Sequence, residues 1–350
     1  MKFSRNILSE FIDTSSITND IFHNALNDLG LEVKSITNIK LPSNVVIGKV
    51  INKIRHENAD KLSVCSVDIG DSVLQIVCGA KNVQISQIVC VALDGARIRD
   101  ITIKKNRLRG VISEGMLCSS VELGLNKIDD GILVLDDSIG EIILGKQLRD
   151  YPIFNDTLFE VDVTPNRGDC LSVIGIARDL SVFFNLDFIN ISENEVSNDV
   201  IPGIGRIFNI SFDDNLHSSL YYKVAKIQNL SNNFRLKFYL AISDNLGDDP
   251  LRNIVTFSTY MTGAIINAYG IKHIDCDTRI QFDISVDSNG IESVNYNGNK
   301  LYDIGICVNK EFMTGKEDDF VVFESSYIPP DYVSKLILIM TLQVMIRLLT

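Results

Sequence analysis

The segment RHENADKLSVCSVDIG, residues 55–70, places His56, Glu57, Asp60 and Lys61 within six positions of one another. An imidazole, two carboxylates and an amine are the groups of general acid–base catalysis or of a metal site, although a mechanism usually collects its groups from separate segments. A second concentration is RIRDITIKKNRLRG, residues 97–110, where Arg97, Arg99, Lys104, Lys105, Arg107 and Arg109 oppose Asp100, a local balance of +5 from six cations and one anion. Such a strip in a strand and its adjoining loop could track phosphates, each one neutralised adding about 0.7–0.9 to the salt slope. An edge strand guarded against aggregation by positive charge has the same appearance. In RGVISEGMLCSS, residues 109–120, the glycines permit close backbone approach, and Ser113 and Ser119 could hydrogen-bond phosphate or ribose. Glycine and serine also build ordinary loops, so composition leaves both readings open.

The chain that must position these groups has 350 residues, more than one hydrophobic core usually serves, so two or three domains are expected. Its net charge of -12 disfavours indiscriminate nucleic-acid binding, and any RNA contact must rest on a local patch. The 7 cysteines include no CxxC pair, which gives neither a zinc site nor a disulfide framework. Buried thiols in a reducing cytosol are the expectation, with no bound metal. The start MKFSRNILSEF has no long apolar core of a signal peptide, and a cytoplasmic chain is expected. The uncharged run from Leu336 to Ile346 is shorter than the roughly 20 residues that span a bilayer, so 331–350 reads as a buried helix and membrane contact is not expected.

Residues 16–30 read as an amphipathic helix capped by Ser16 or Thr18, with Ile21, Phe22, Ala25, Leu26 and Leu29 on one face and Gly30 as its stop. His23 lies near that face and reads as partly buried and structural. From 44 to about 148 the texture changes to short β-rich runs, NVVIGKVINKI, LSVCSVDIG, VLQIVCG, QIVCVAL and GILVLDD, with turns at Asp94-Gly95 and Asp130-Gly131. About five such strands fit a small barrel of the OB type. A helix returns at 166–185, with Leu171, Ile174, Ala177, Leu180 and Phe184 in a stripe. Residues 191–205 read as a polar linker. Beyond it LYYKVAKIQNL reads as a strand, STYMTGAIINAYG as a helix with Met261, Ala264, Ile265 and Ala268 on one face, and GIESVNYNGNKLYDIGI as a hairpin turning at Asn297-Gly298.

HENADKL, then QIVCGAKN at 75–82, then RLRGVISEGMLCS at 107–119, in that order, resemble the tRNA-binding OB domain of synthetase-associated proteins. MKFSRNILSEFI, LGLEV at 29–33, VDVTPNRGDCLSVIGIARDL at 161–180 and FVVFESSYIPP at 320–330 narrow the resemblance to the β-subunit family of bacterial phenylalanyl-tRNA synthetases. The implied architecture is α+β and multidomain. An OB-fold β-barrel, 41–150, is inserted in a small split α/β domain, 1–40 with 151–190, and a mixed α/β editing-type domain follows at 206–330. The resemblance also implies an αβ heterotetramer whose α subunit performs aminoacylation with ATP and magnesium, with tRNA(Phe) as the RNA partner and no DNA. No cofactor is expected in this chain, which reads as an N-terminal fragment. By this reading the RNA contacts are Asn58, Lys61, Lys104, Lys105, Arg107, Arg109 and Ser113. Asn58-Ala59-Asp60 is then a tight turn whose Asn and Asp bond local backbone, leaving Lys61 and His56 free for RNA.

Editing has a physical motive, since a pocket shaped for phenylalanine rejects an added hydroxyl by only about a hundredfold. Against the family's editing motifs, Thr256 replaces an Asp and Thr259 an Asn, His273 is kept with altered spacing, and Lys310 replaces a Glu. An ammonium in place of a carboxylate removes an acceptor and reverses the charge. The expectation is that no catalytic residue operates here and that hydrolysis of Tyr-tRNA is lost or weakened. The alternatives are a stand-alone tRNA-binding module and a hydrolase editing in trans.

Overall fold

Segments far apart in sequence build the first sheet. In the computed structural model, which describes residues 1–189, 208–226, 230–270, 280–296, 298–304 and 320–329, β1 (Lys2–Ser4) and β2 (Glu32–Asn38) both pair antiparallel with β13 (Thr157–Asp162). Between them lie the short helix α1 (Arg5–Leu8) and helix α2 (Asn19–Asp28), whose N-cap is Thr18 and whose buried face is Phe22, Ala25 and Leu26. Ile21, expected on that face, is 53% exposed. Helix α3 (Val173–Phe184) is capped by Ser172 and ends on left-handed Asn185. Its buried face runs through Val173, Ile176, Ala177 and Leu180, whereas Leu171 lies before its first turn and is exposed. Phe3, Phe22 and Phe159 stack between sheet and helix.

Everything from 45 to 135 that forms strands lies between β2 and β13. A six-stranded antiparallel sheet curls into a nearly closed barrel. Its strands are β3 (Val45–Arg55), β4 (Ser63–Asp68), β5 (Val73–Cys78), β6 (Ile88–Ala92), β11 (Met116–Leu117) and β12 (Val134–Leu135). The path is β11-β6-β3-β4-β5, with β12 also on β6. Strand β3 serves both halves: Val45–Lys49 pair with β6 and Lys49–Arg55 with β4, across a register shift between Val50 and Asn52. A bulge of this kind bends a strand and increases its twist, which is what closure requires. Val50, Cys65, Val67, Ile76, Val89 and Val91 fill the interior. Gly48 is needed there, because a Cβ would lie 2.7 Å from both Val67 and Val91.

By contact the chain divides into Met1–Ile191 with Asn232–Asp248, and Ser192–Ser231 with Asp249–Thr350. The helix Phe234–Ile242, inside the 206–330 region of the sequence reading, thus belongs to the first unit. It is apolar on nearly all sides, burying Phe234, Phe238, Tyr239, Leu240, Ala241 and Ile242, and its phenylalanines pack on Phe154. In the second unit, parallel β14 (Phe208–Phe212) and β17 (Ile280–Val286) extend through β18 (Glu292–Tyr296) to β19 (Asn299–Asp303). A second sheet has the order β15 (Ser219–Lys226), β20 (Phe320–Tyr327), β16 (Ile266–Gly270). Tyr296 faces Asn299 in the expected hairpin. The expected helix at 258–270 is corrected: a helix spans Pro250–Thr262, Gly263 ends it in the left-handed region at φ 77°, and Ile266–Gly270 is strand. The linker 191–205 and the helix 331–350 lie outside the described residues. No helix among the described residues is long and apolar enough to cross a membrane.

Ile76 is fully buried at the barrel centre, so Ile76→Ala should lower the unfolding free energy by about 2–5 kcal/mol in denaturant titration.

Candidate RNA-binding surface

The basic run folds into two short hairpins. In the first, β7 (Arg97–Ile98) pairs with β8 (Ile101–Thr102), and Arg99 takes the turn at φ 52°. In the second, β9 (Asn106–Leu108) pairs with β10 (Val111–Ser113), Leu108 facing Val111, so the turn is Arg109-Gly110 at φ 50° and 96°. Positive φ at both positions is the type I′ geometry that suits the twist of paired strands. Glycine enters it freely; the left-handed region costs a residue with a Cβ about 1–2 kcal/mol. The tip therefore carries a guanidinium at a position where the backbone alone favours glycine or asparagine.

Arg97, Arg99, Lys104, Lys105, Arg107 and Arg109 are all exposed. Two are partly engaged. The Arg99 guanidinium donates to the Val121 carbonyl at 2.6 Å, and the Lys105 ammonium pairs with Glu114 at 2.6 Å. That ammonium, with the Gln75 N–H, holds the Glu114 carboxyl below its ordinary range. Lys104, Arg107 and Arg109 make no side-chain hydrogen bond or ion pair among the described residues, and Asn58 and Lys61 are exposed on the turn between β3 and β4, where the Asn58 side chain lies near Gly110. The surface they form can attract phosphate.

The residues that suggested chemistry fasten this surface to the barrel. His56 is 2% exposed, which corrects its expected availability to RNA. Its Nδ1 accepts the Asn58 N–H at 3.0 Å, so the bonding network assigns the ring hydrogen to Nε2, which donates to the Leu108 carbonyl at 3.2 Å. One ring thus shapes the turn between β3 and β4 and pins the second hairpin. Asp60, expected to bond local backbone, instead pairs with Arg55 at 2.5 Å. Ser113 is 4% exposed and is likewise corrected as an RNA contact. Its hydroxyl accepts from the Val77 N–H at 3.0 Å and donates to the Gly115 carbonyl at 2.9 Å. Ser119 is engaged too, its N–H and hydroxyl both donating to Glu122 at 2.7 Å. From QIVCGAKN, the Gln75 side chain donates to the Ile112 carbonyl at 2.8 Å. Asn82 exchanges two bonds with the Ile132 backbone, at 2.8 and 2.9 Å. A cavity of about 310 Å³ opens between these segments, lined by Gly79, Ala80, Met116, Ser119 and Glu122 among others.

Residues 45–141 match the tRNA binding domain family. The beta subunit of phenylalanine–tRNA ligase from Wolinella succinogenes is 43% identical over 345 residues, covering 96% of this chain and 44% of that protein. The Helicobacter hepaticus subunit is 41% identical over 349 residues, with 96% and 43% covered. For Helicobacter pylori strain 26695 the values are 43% over 330 residues, with 94% and 42%. The chain is similar to the N-terminal part of the phenylalanine–tRNA ligase beta subunit. It spans less than half the length of these curated relatives.

Of the positions aligned with beta-subunit editing motifs, Thr256 and Thr259 lie half-buried on the helix Pro250–Thr262, and the Thr259 hydroxyl donates to the Ala264 carbonyl at 2.8 Å. His273 and Lys310 lie outside the described residues. The same unit holds a cluster that the sequence reading passed over. Glu324 on β20 is 1% exposed, accepts from Asn267 at 3.1 Å and from the Tyr302 hydroxyl, and burial beside it raises the Tyr222 hydroxyl above its ordinary range. The available signal was alternation, since Val322 and Glu324 share an inward face of the strand. Asp169 and Cys170 of TPNRGDC, with Asp179 on α3, could group around a cation. Arg167 already donates to both carboxylates, and burial pushes the Cys170 thiol up to about 12.

Removing the Ser113 hydroxyl leaves the buried Val77 N–H without its acceptor, so Ser113→Ala should cost about 1–3 kcal/mol in unfolding measurements. RNA affinity should weaken as well, because the same hydroxyl helps to fasten the hairpin that presents Arg107 and Arg109. At the hairpin tip, Arg109→Gly should weaken RNA binding without loss of stability, whereas Arg109→Val should lower stability as well, because a β-branched residue is strained at φ 50°.

Proposed function

We propose that this chain is the tRNA-binding, non-catalytic part of a phenylalanine–tRNA ligase beta subunit. Its barrel holds tRNA(Phe) by phosphate contacts from Lys104, Arg107 and Arg109, supported by Lys105, with Lys61 and Asn58 on the neighbouring turn. The observation that carries this reading is the pair of pinned hairpins, whose exposed cations contrast with a chain of net charge -12. Negative charge elsewhere repels a polyanion, so it would approach through this patch. The similarity to beta subunits supports a cytoplasmic complex with an α subunit, as a heterotetramer, in which ligation and its use of ATP and magnesium belong to that partner.

Within the same proposal, the second unit keeps its fold and has lost or weakened hydrolysis of Tyr-tRNA(Phe). The replacements at Thr256, Thr259 and Lys310 support this, as does the hydrogen bond that already engages Thr259. Deacylation of Tyr-tRNA(Phe) by the assembled enzyme should stay near the uncatalysed rate. Rapid deacylation abolished by His273→Ala would overturn this part.

For tRNA binding, the double substitution Lys104→Ala with Arg107→Ala removes two phosphate partners. It should reduce the slope of log affinity against log salt by about 1–2 and weaken binding at low salt. An unchanged slope in a salt titration of the full chain would place the RNA elsewhere.

A further inference from the structure

The barrel lacks the groups with which single-stranded nucleic acid is usually held. From Val45 to Glu141 the sequence contains no phenylalanine, tyrosine or tryptophan. Barrels that bind unpaired strands rely on aromatic rings, each stacked base contributing about 1–3 kcal/mol. Of the planar groups that could substitute, three are engaged, and the exposed Arg107 and Arg109 guanidiniums are the ones left to meet RNA. His56 is buried with both ring nitrogens bonded, Arg99 bonds the Val121 carbonyl, and Arg55 pairs with Asp60.

What remains on the surface is a set of cations interleaved with aliphatic side chains. Ile101 is 67% exposed, Leu108 39% and Ile112 37%. In the second hairpin Ile112 stands opposite Arg107. Branched aliphatic groups can lie against ribose, while the neighbouring cations take phosphate. The cations are also held in place, since Arg99 and Arg109 occupy fixed turn positions and the second hairpin is pinned at Leu108 and Ile112. A rigid array meets a regular helical backbone without ordering either partner, whereas a flexible strand would lose conformational entropy with no stacking to offset it. Double-stranded RNA is recognised in just these terms, by shape, phosphate and 2′-hydroxyl.

We propose that the barrel reads the sugar–phosphate backbone of a double-helical stretch of RNA and does not stack on unpaired bases. This rests on RNA binding by the barrel, as set out under Proposed function.

The test uses the full chain and two fluorescent RNA probes of equal length and charge, a self-complementary hairpin stem and an unstructured strand, in anisotropy titrations at one salt concentration. The stem should bind at least about tenfold more tightly, a difference of about 1.4 kcal/mol, and scrambling its base pairs should leave affinity unchanged. Equal or tighter binding of the unstructured strand would overturn this inference while leaving RNA binding intact. Binding of neither probe would overturn both. Arg107→Lys keeps the charge and removes the planar group, so it should lower affinity for the unstructured strand no more than for the stem; a loss confined to the unstructured strand would mean that the arginine stacks on its bases, and would count against the inference.

Discussion

The candidate surface depends on side-chain hydrogen bonds that fasten a short hairpin to a barrel wall. A two-stranded hairpin alone is marginal in water, and the pairing of β9 with β10 spans only Asn106–Leu108 and Val111–Ser113. The His56 ring reaches the Leu108 carbonyl, the Gln75 amide reaches that of Ile112, and the Ser113 hydroxyl takes the Val77 N–H. Each bond joins a side chain to backbone, so the path of the chain itself is fixed. Arg107 and Arg109 owe their presentation to that fixing.

Charge follows the same division between buried anchors and exposed presenters. The anchoring side chains of His56 and Ser113 are buried and hydrogen-bonded, and the cations lie outside, where they keep their hydration. The Glu114 carboxylate pairs with Lys105 of the basic run and accepts the Gln75 N–H. The second unit is built differently. Its buried carboxylates, Glu292 and Glu324, are met by hydroxyls, amides and an imidazole. Such networks are costly if left incomplete, so they define a unique interior without supplying a phosphate surface.

Much of the barrel was legible in the sequence because its signals are local. The apolar runs at 45–55, 63–68, 73–78 and 88–92 became strands, and Thr18 became the cap of α2. Four features were not legible. His56 and Ser113 looked like ligand contacts because nothing local shows that Leu108 and Val77 lie against them across the fold. The apolar pattern of 258–270 ran through Gly263, whose left-handed φ of 77° ends the helix and turns the chain into strand. The helix Phe234–Ile242 has little amphipathic pattern, so its membership of the first unit is settled by packing against Phe154 and by tertiary contacts alone. The basic run was readable as charge, whereas its two turns, with arginines at positive φ, were not.

The candidate surface therefore depends on whether the motif residues hold the cationic hairpin in place. Amide hydrogen exchange of the full chain, compared with the His56→Ala variant, measures this directly. Exchange at 106–113 should accelerate strongly while the paired strands Val45–Lys49 and Ile88–Ala92 keep their protection. Unchanged protection at 106–113, in a variant whose hairpin stays as ordered as in the parent, would contradict the claim that His56 is the clamp on which the surface depends.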